Sequence, residues 1–195
     1  MSEKELDQSK RNLIVATSVV GGIATVGAAA PFVASMFPSE RAKALGAPVD
    51  VGISKLAPGE RKIVAWRGKP VWVLRRTKEM LESIKESDPL VADPKLRVNH
   101  QPEYAKNEDR SIKPEFLVLV GVCTHLGCSP EFKPKGAADM GKDWLGGFFC
   151  PCHGSKFDFA GRVYKGSPAP TNMVVPPYEY LTDTTIVIGA DKKEA

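Results

Sequence analysis

The sequence predicts a mostly β, antiparallel head with one helix, carried behind a single N-terminal transmembrane helix. Three observations predict this. Leu13 to Phe37 is a run of 25 residues without a formal charge, the pattern changes at Val49 to short apolar runs separated by turn residues, and all four cysteines fall within a 30-residue window. The overall composition, 43% hydrophobic and 26% charged, is that of an ordinary globular chain. The net charge of +4 is scattered, with no basic block interleaved with stacking aromatics, which argues against a nucleic-acid partner.

Residues 1–12 form a short tail. Lys4, Lys10 and Arg11 stand against Glu3, Glu5 and Asp7, and the far side of the apolar run carries Arg41 and Lys43, so charge alone orients the chain weakly. Lys10-Arg11 resembles a weakened twin-arginine export signal; a generic basic flank is the plainer alternative. The run 13–37 is long enough, at about 37 Å as a helix, to cross a hydrocarbon core of about 30 Å. A cleaved signal sequence is the competing reading, but its apolar core is usually about 7–15 residues. Thr17, Ser18, Thr25 and Ser35 can bond back to their own helix, Pro31 should kink it, and Gly21, Gly22 and Gly27 permit close packing on partner helices. Residues 38–48, bounded by prolines, read as a hinge linker whose composition does not choose between helix and extended chain.

The head starts at Val49 and runs to 195. Val49, Val51 and Ile53 alternate, and Lys62 to Trp66 and Val71 to Leu74 flank a turn at Arg67 to Pro70. Thr77 to Ser87 is the helical candidate, with Met80, Leu81 and Ile84 on one face. Residues 88–114, with four prolines, read as loop, and His100 within them as a solvated histidine. Phe116 to Val122 reads as a buried strand ending at Cys123, and Phe148-Phe149 ends at Cys150 in the same way. The segment between, 129–149, reads as an exposed excursion, and Tyr178 to Leu181 with Thr184 to Ile188 as a closing hairpin. Trp66, Trp72 and Trp144 read as packing residues.

Chemistry concentrates in two boxes, Cys123-Thr124-His125-Leu126-Gly127-Cys128 and Cys150-Pro151-Cys152-His153-Gly154-Ser155. Together they offer six sulfur and imidazole donors, more than one tetrahedral metal takes, and the spacing is not that of a zinc knuckle. A 2Fe-2S rhomb needs four ligands and would leave two cysteines over. A structural zinc site and a pair of plain disulfides are the bland alternatives.

Both boxes match, position for position, the C-x-H-L-G-C and C-P-C-H-G-S motifs of the Rieske family, and the chain resembles that family most closely over 116–177. The resemblance implies one Rieske-type 2Fe-2S cluster in a small cluster-binding subdomain. Its ligands would be Cys123, His125, Cys150 and His153, with Cys128–Cys152 as a disulfide. It implies that His153 and His125 meet the substrate, that Leu126, Gly127 and Gly154 shape the exposed tip, and that Ser155 donates to a bridging sulfide. Gly166 to Pro170 resembles the proline loop over the cluster, with Pro168 in it and Ser167 as an apparent insertion. Phe157 stands where many relatives have a tyrosine.

Anchor, linker and a disulfide-bearing site together resemble the Rieske subunit of the cytochrome bc complexes of respiratory complex III. That resemblance implies quinol as electron donor, cytochrome b and a c-type cytochrome as partners, and a dimeric complex. A disulfide belongs in an oxidising compartment, so the head is expected on the periplasmic side of a bacterial inner membrane. The alternative is a small electron-transfer subunit of another exported oxidoreductase, such as an arsenite-oxidase-type enzyme.

Overall fold

The computed structural model describes residues 8–190. The charges of the tail at Glu3, Lys4, Glu5 and Asp7 lie outside the described residues. The chain divides into two compact units, residues 1–44 and 45–195.

In the first unit, helix α1 spans Gln8–Ser35 and holds Pro31 inside it. It begins before the uncharged run and stops just short of its end, where Met36 and Phe37 close a tight turn on the carbonyls of Val33 and Ala34. Polar side chains are satisfied within the helix: the hydroxyls of Thr17, Thr25 and Ser35 donate to the carbonyls of Leu13, Gly21 and Phe32 at 2.7–2.9 Å. No residue of α1 is buried by protein, although its most apolar stretch has a mean hydropathy of 2.0. Apolar area left in water costs about 25 cal/mol per Å², so this helix matches lipid or partner helices as its surroundings. A short helix α2, Glu40–Leu45, follows. Ser39 caps it through the Ala42 amide, and Glu40 pairs with Lys43 at 2.7 Å. The linker composition left helix and extended chain open; the capping serine and the ion pair tip it to helix.

The head is built from three three-stranded antiparallel sheets. The first orders β1 (Val49–Gly52), β9 (Thr185–Ile188) and β8 (Tyr178–Thr182), so the two ends of the head pair with each other. The second orders β2 (Arg61–Trp66), β3 (Lys69–Arg75) and β4 (Phe116–Val120). Its hairpin is tighter than the four-residue turn expected. Arg67 and Gly68 both take positive φ, 50° and 70°, as a two-residue type I′ connection requires, and Lys69 and Pro70 join β3. The third sheet orders β5 (Glu131–Lys133), β6 (Gly147–Phe149) and β7 (Lys156–Phe157).

Helix α3, Lys78–Glu86, lies where the apolar spacing placed it, with Thr77 accepting the Met80 amide as N-cap. Ile84 is buried, and Met80 and Leu81 pack partly against the core.

One expectation needs correction. The excursion 129–149 is not free along its length, because its ends pair as β5 and β6 and its Trp144 is buried, donating Nε1–H to the Lys133 carbonyl. The polar stretch 88–114 has little regular structure beyond a short 3₁₀ turn at Glu103–Ala105, but it supplies core. Val91, Leu96, Ala105 and Arg110 within it are all buried. Burial of three arginines, Arg76, Arg110 and Arg162, is the least expected feature of the head. Arg162 is held by Asp158 at 2.7 Å, by Asp88, and by the Ile84 carbonyl at 2.6 Å.

Candidate metal centre

Two strands deliver the two boxes. β4 is buried at all five positions, and β3 pairs along its whole length. β6 pairs on both sides, with β5 and β7. The roots of the boxes meet on one side chain. A Cβ on Gly121, two residues before Cys123, would sit 2.1 Å from the Trp72 ring, and Phe148, two residues before Cys150, packs on the same ring at 5.1 Å. Only glycine lets β4 run that close to the indole.

The loops themselves share one design. In box one the Cys123 amide donates to Cys128 O at 2.7 Å and the Gly127 amide to Cys123 O at 3.1 Å. In box two the Cys150 amide donates to Ser155 O at 2.8 Å and the Gly154 amide to Cys150 O at 2.9 Å. The fifth residue of each box, Gly127 or Gly154, takes φ of 87° or 79° in open space, so the left-handed turn rather than crowding demands glycine there. The symmetry fails at the histidines. His125 is third in its box and half-buried, while His153 is fourth in its box and exposed.

Cys128 and Cys152 are joined as a disulfide with Cα atoms 6.7 Å apart, pinning loop to loop. Cys123 and Cys150 remain free thiols, each 2% exposed. The sulfurs of Cys128, Cys150 and Cys152 lie within 4.8 Å of one another, but two of these three are already spent in the disulfide. Burial pushes the Cys150 thiol up, and the neighbouring Cys123 thiol adds to that, against the amides of Cys152 and His153 donating to its sulfur. The imidazoles of His125 and His153 stand edge-on with centroids 4.8 Å apart. Among the described residues, the buried Nδ1 of His125 has no hydrogen-bond partner.

These are the marks of a soft-metal site. Two buried free thiols side by side are soft donors, an orphaned buried ring nitrogen is costly as it stands, and amides already aimed at a sulfur suit a thiolate, so a bound soft metal would fit this donor set. Leu126, next to His125, is 72% exposed and Pro168 is exposed, whereas Ser155 is fully buried. The Ser155 oxygen accepts the Ala169 amide at 3.0 Å, which leaves its own proton to donate elsewhere. The apparent insertion Ser167 is absorbed where its hydroxyl accepts the Lys156 amide at 3.2 Å. Phe157 is fully buried in β7, opposite Phe148 and Val163.

Sequence reasoning missed two contributors. Thr124 donates its hydroxyl to the Thr171 carbonyl at 2.6 Å, tying box one to the segment beyond the proline loop. Arg110 reaches the same region from the 88–114 stretch. The box motif contained Thr124 without singling it out; nothing local in sequence marks Arg110.

Fold and site together define a protein with a cysteine- and histidine-rich candidate metal centre on a small antiparallel β head. A family model described as "Rieske [2Fe-2S] domain" matches residues 49–179, and one described as "Ubiquitinol-cytochrome C reductase Fe-S subunit TAT signal" matches residues 1–39. A relative from Allochromatium vinosum, named ubiquinol-cytochrome c reductase iron-sulfur subunit, is 56% identical over 100% of this chain and 95% of its own. One of the same name from Blastochloris viridis is 43% identical, over 91% of this chain and 90% of that one. A solved chain described as "Hyperthermophilic respiratory Complex III" is 27% identical with a TM-score of 0.49, covering 88% of this chain and 97% of that chain.

The chain belongs to the family of Rieske iron–sulfur subunits of ubiquinol–cytochrome c reductase. It carries a Rieske-type 2Fe-2S cluster, and the export-signal match together with α1 marks it as an exported, membrane-anchored oxidoreductase component. The alternative subunit class gains no support from these relatives.

Proposed function

We propose that the chain is the catalytic iron–sulfur subunit of a proton-motive quinol:cytochrome c oxidoreductase, taking one electron at a time from quinol for a c-type haem. In this reading Cys123 and Cys150 ligate one iron and His125 and His153 the other. The observation that carries it is the pairing of two buried free thiols with two edge-on imidazoles at loops locked by a disulfide. When bound, the cluster supplies a one-electron acceptor, with a potential of about −150 to +300 mV rather than the about −400 mV of plant-type ferredoxins.

The residues do the rest. His153, exposed at the tip, keeps one ring nitrogen for iron and offers the other to the quinol hydroxyl. With the electron passed on, the proton released from quinol would be taken up at the outer ring nitrogen of His153. His125, half-buried alongside, orients the pair. Exposed Leu126, with Gly127, Gly154 and Pro168, forms an apolar rim that docks against cytochrome b and excludes water. Ser155, its oxygen already accepting the Ala169 amide, would donate its hydroxyl proton to a cluster sulfur.

On the same reading residues 1–12 are a cytoplasmic tail, 13–37 the retained anchor, 38–48 a hinge and 49–195 the head. The head works on the periplasmic side of a bacterial inner membrane, within a dimeric complex with cytochrome b and a c-type cytochrome. The hinge carries the head between quinol pocket and haem.

The experiment is purification of the native complex with its partners. Cytochromes should co-purify, and quinol-site inhibitors should block reduction of the iron–sulfur signal. Co-purification with a molybdenum subunit, or reduction indifferent to those inhibitors, refutes the reading.

A further inference from the structure

Arg110 is 0% exposed and sits at a positive φ of 49°, a conformation that costs a non-glycine residue energy. Among the described residues its guanidinium makes no ion pair at contact distance. It forks onto backbone instead, donating to Ala160 O at 2.9 Å, Gly161 O at 3.2 Å, Met173 O at 2.7 Å and His100 O at 3.4 Å, with Gln101 Oε1 at 3.1 Å beside them, while its Nε–H has no partner among the described residues. Burial pushes its pKa down to about 10, with Asp158 acting against that, so the group is a cation at neutral pH.

The carbonyls it selects are not scattered. Gly161 and Met173 are also joined directly, the Met173 amide donating to Gly161 O at 2.8 Å. Arg110 therefore closes the neck of a loop running from 162 to 172. That loop is a strap across both cysteine boxes. Thr171 O accepts the Thr124 hydroxyl of box one at 2.6 Å, and the Ala169 amide donates to the Ser155 oxygen of box two at 3.0 Å.

We infer that Arg110 is a positioning residue for the metal centre, fixing both feet of the strap so that Ala169 and Thr171 hold Ser155 and Thr124 in place. A buried cation is a poor general glue, since well-packed apolar residues usually stabilise as well or better. It is a good way to impose one geometry, because a planar fork with five donors fits a single arrangement of acceptors. The other two buried arginines do different jobs: Arg162 joins α3 to Asp158, and Arg76 ties Pro114, Asp109 and Phe159 to Ser111. The inference rests on the ligand assignment proposed above.

The test uses the full-length, anchored protein with Arg110→Lys and Arg110→Gln. The midpoint potential is read by voltammetry, the reduced cluster by electron paramagnetic resonance, and backbone opening by hydrogen exchange. The expected result is exchange at least about tenfold faster within 162–172, a lower midpoint potential and a broadened resonance. Amides of β3 and β4 stay as slow as before, and the lysine variant falls between wild type and glutamine. Unchanged strap exchange and potential overturn the inference. So does uniform acceleration across the head, or failure of both variants to fold, since either makes Arg110 a requirement of the whole head. A wild type without an iron–sulfur signal overturns the ligand assignment as well and is seen before any variant is made.

Discussion

Phe157 shows how much of the site can rest on one missing atom. The ring is fully buried in β7, two residues beyond the Ser155 hydroxyl, at the position where the family resemblance leads one to expect a tyrosine. A hydrogen bond to a charged acceptor is worth about 1.5 kcal/mol, and one that strengthens on reduction raises a one-electron potential by roughly 60 mV. Phe157→Tyr should therefore raise the midpoint by about that much in voltammetry, and an unchanged or lower midpoint would refute a hydrogen bond from that hydroxyl to the cluster. Gly121 tests a different residue-scale claim. Alanine there drives a methyl into Trp72, so Gly121→Ala should cost about 1–3 kcal/mol in thermal unfolding and loosen both boxes together. At this scale the sequence was most legible where chemistry is local. The two boxes announced themselves by the clustering of cysteine and histidine, their resemblance to the Rieske motifs singled out Cys123, His125, Cys150 and His153, and the sheets bring the boxes together. Arg110 did not, because its partners are carbonyls 50 and 63 residues away, and backbone oxygens leave no trace in a sequence.

Elements were legible in proportion to how strongly their own residues specify them. β4 is five apolar residues in a row and α3 has a capping threonine and one apolar face, and both lie where their patterns place them. β5 and β7 are three and two residues long, too short for any period to show, and exist because β6 between them offers both edges. The connection between Cys128 and Cys152 is an element-scale device. It closes a loop with a sequence separation of 24, for which chain entropy gives about 3 kcal/mol. Changing both cysteines to serine should lower the unfolding free energy by about that amount and speed loss of visible absorption on standing. The ion network joining the end of α3 to the turn after β7 is a second device. Asp158 is 1% exposed and holds the Arg162 guanidinium together with the Ala160 and Arg162 amides. Removing one partner of a buried pair strands the other, so Asp158→Ala should destabilise the head by about 3–5 kcal/mol in denaturant titration.

The whole molecule separates into a part made for lipid and a part with its own core. Its boundary, between residues 44 and 45, falls inside the segment read from sequence as a linker. Cleavage between 38 and 48 should release a head that stays soluble, unfolds in one cooperative transition and keeps its absorption, measured by sedimentation and melting of the fragment. Loss of the cluster on release would show that the head depends on its anchor. For the complete account, the most direct test is pulsed electron paramagnetic resonance of the dithionite-reduced, full-length protein. The account predicts a 2Fe-2S signal carrying strong couplings to two imidazole nitrogens, with no such signal left in His125→Ala or His153→Ala. A signal without nitrogen couplings, or one that survives either substitution, would contradict it.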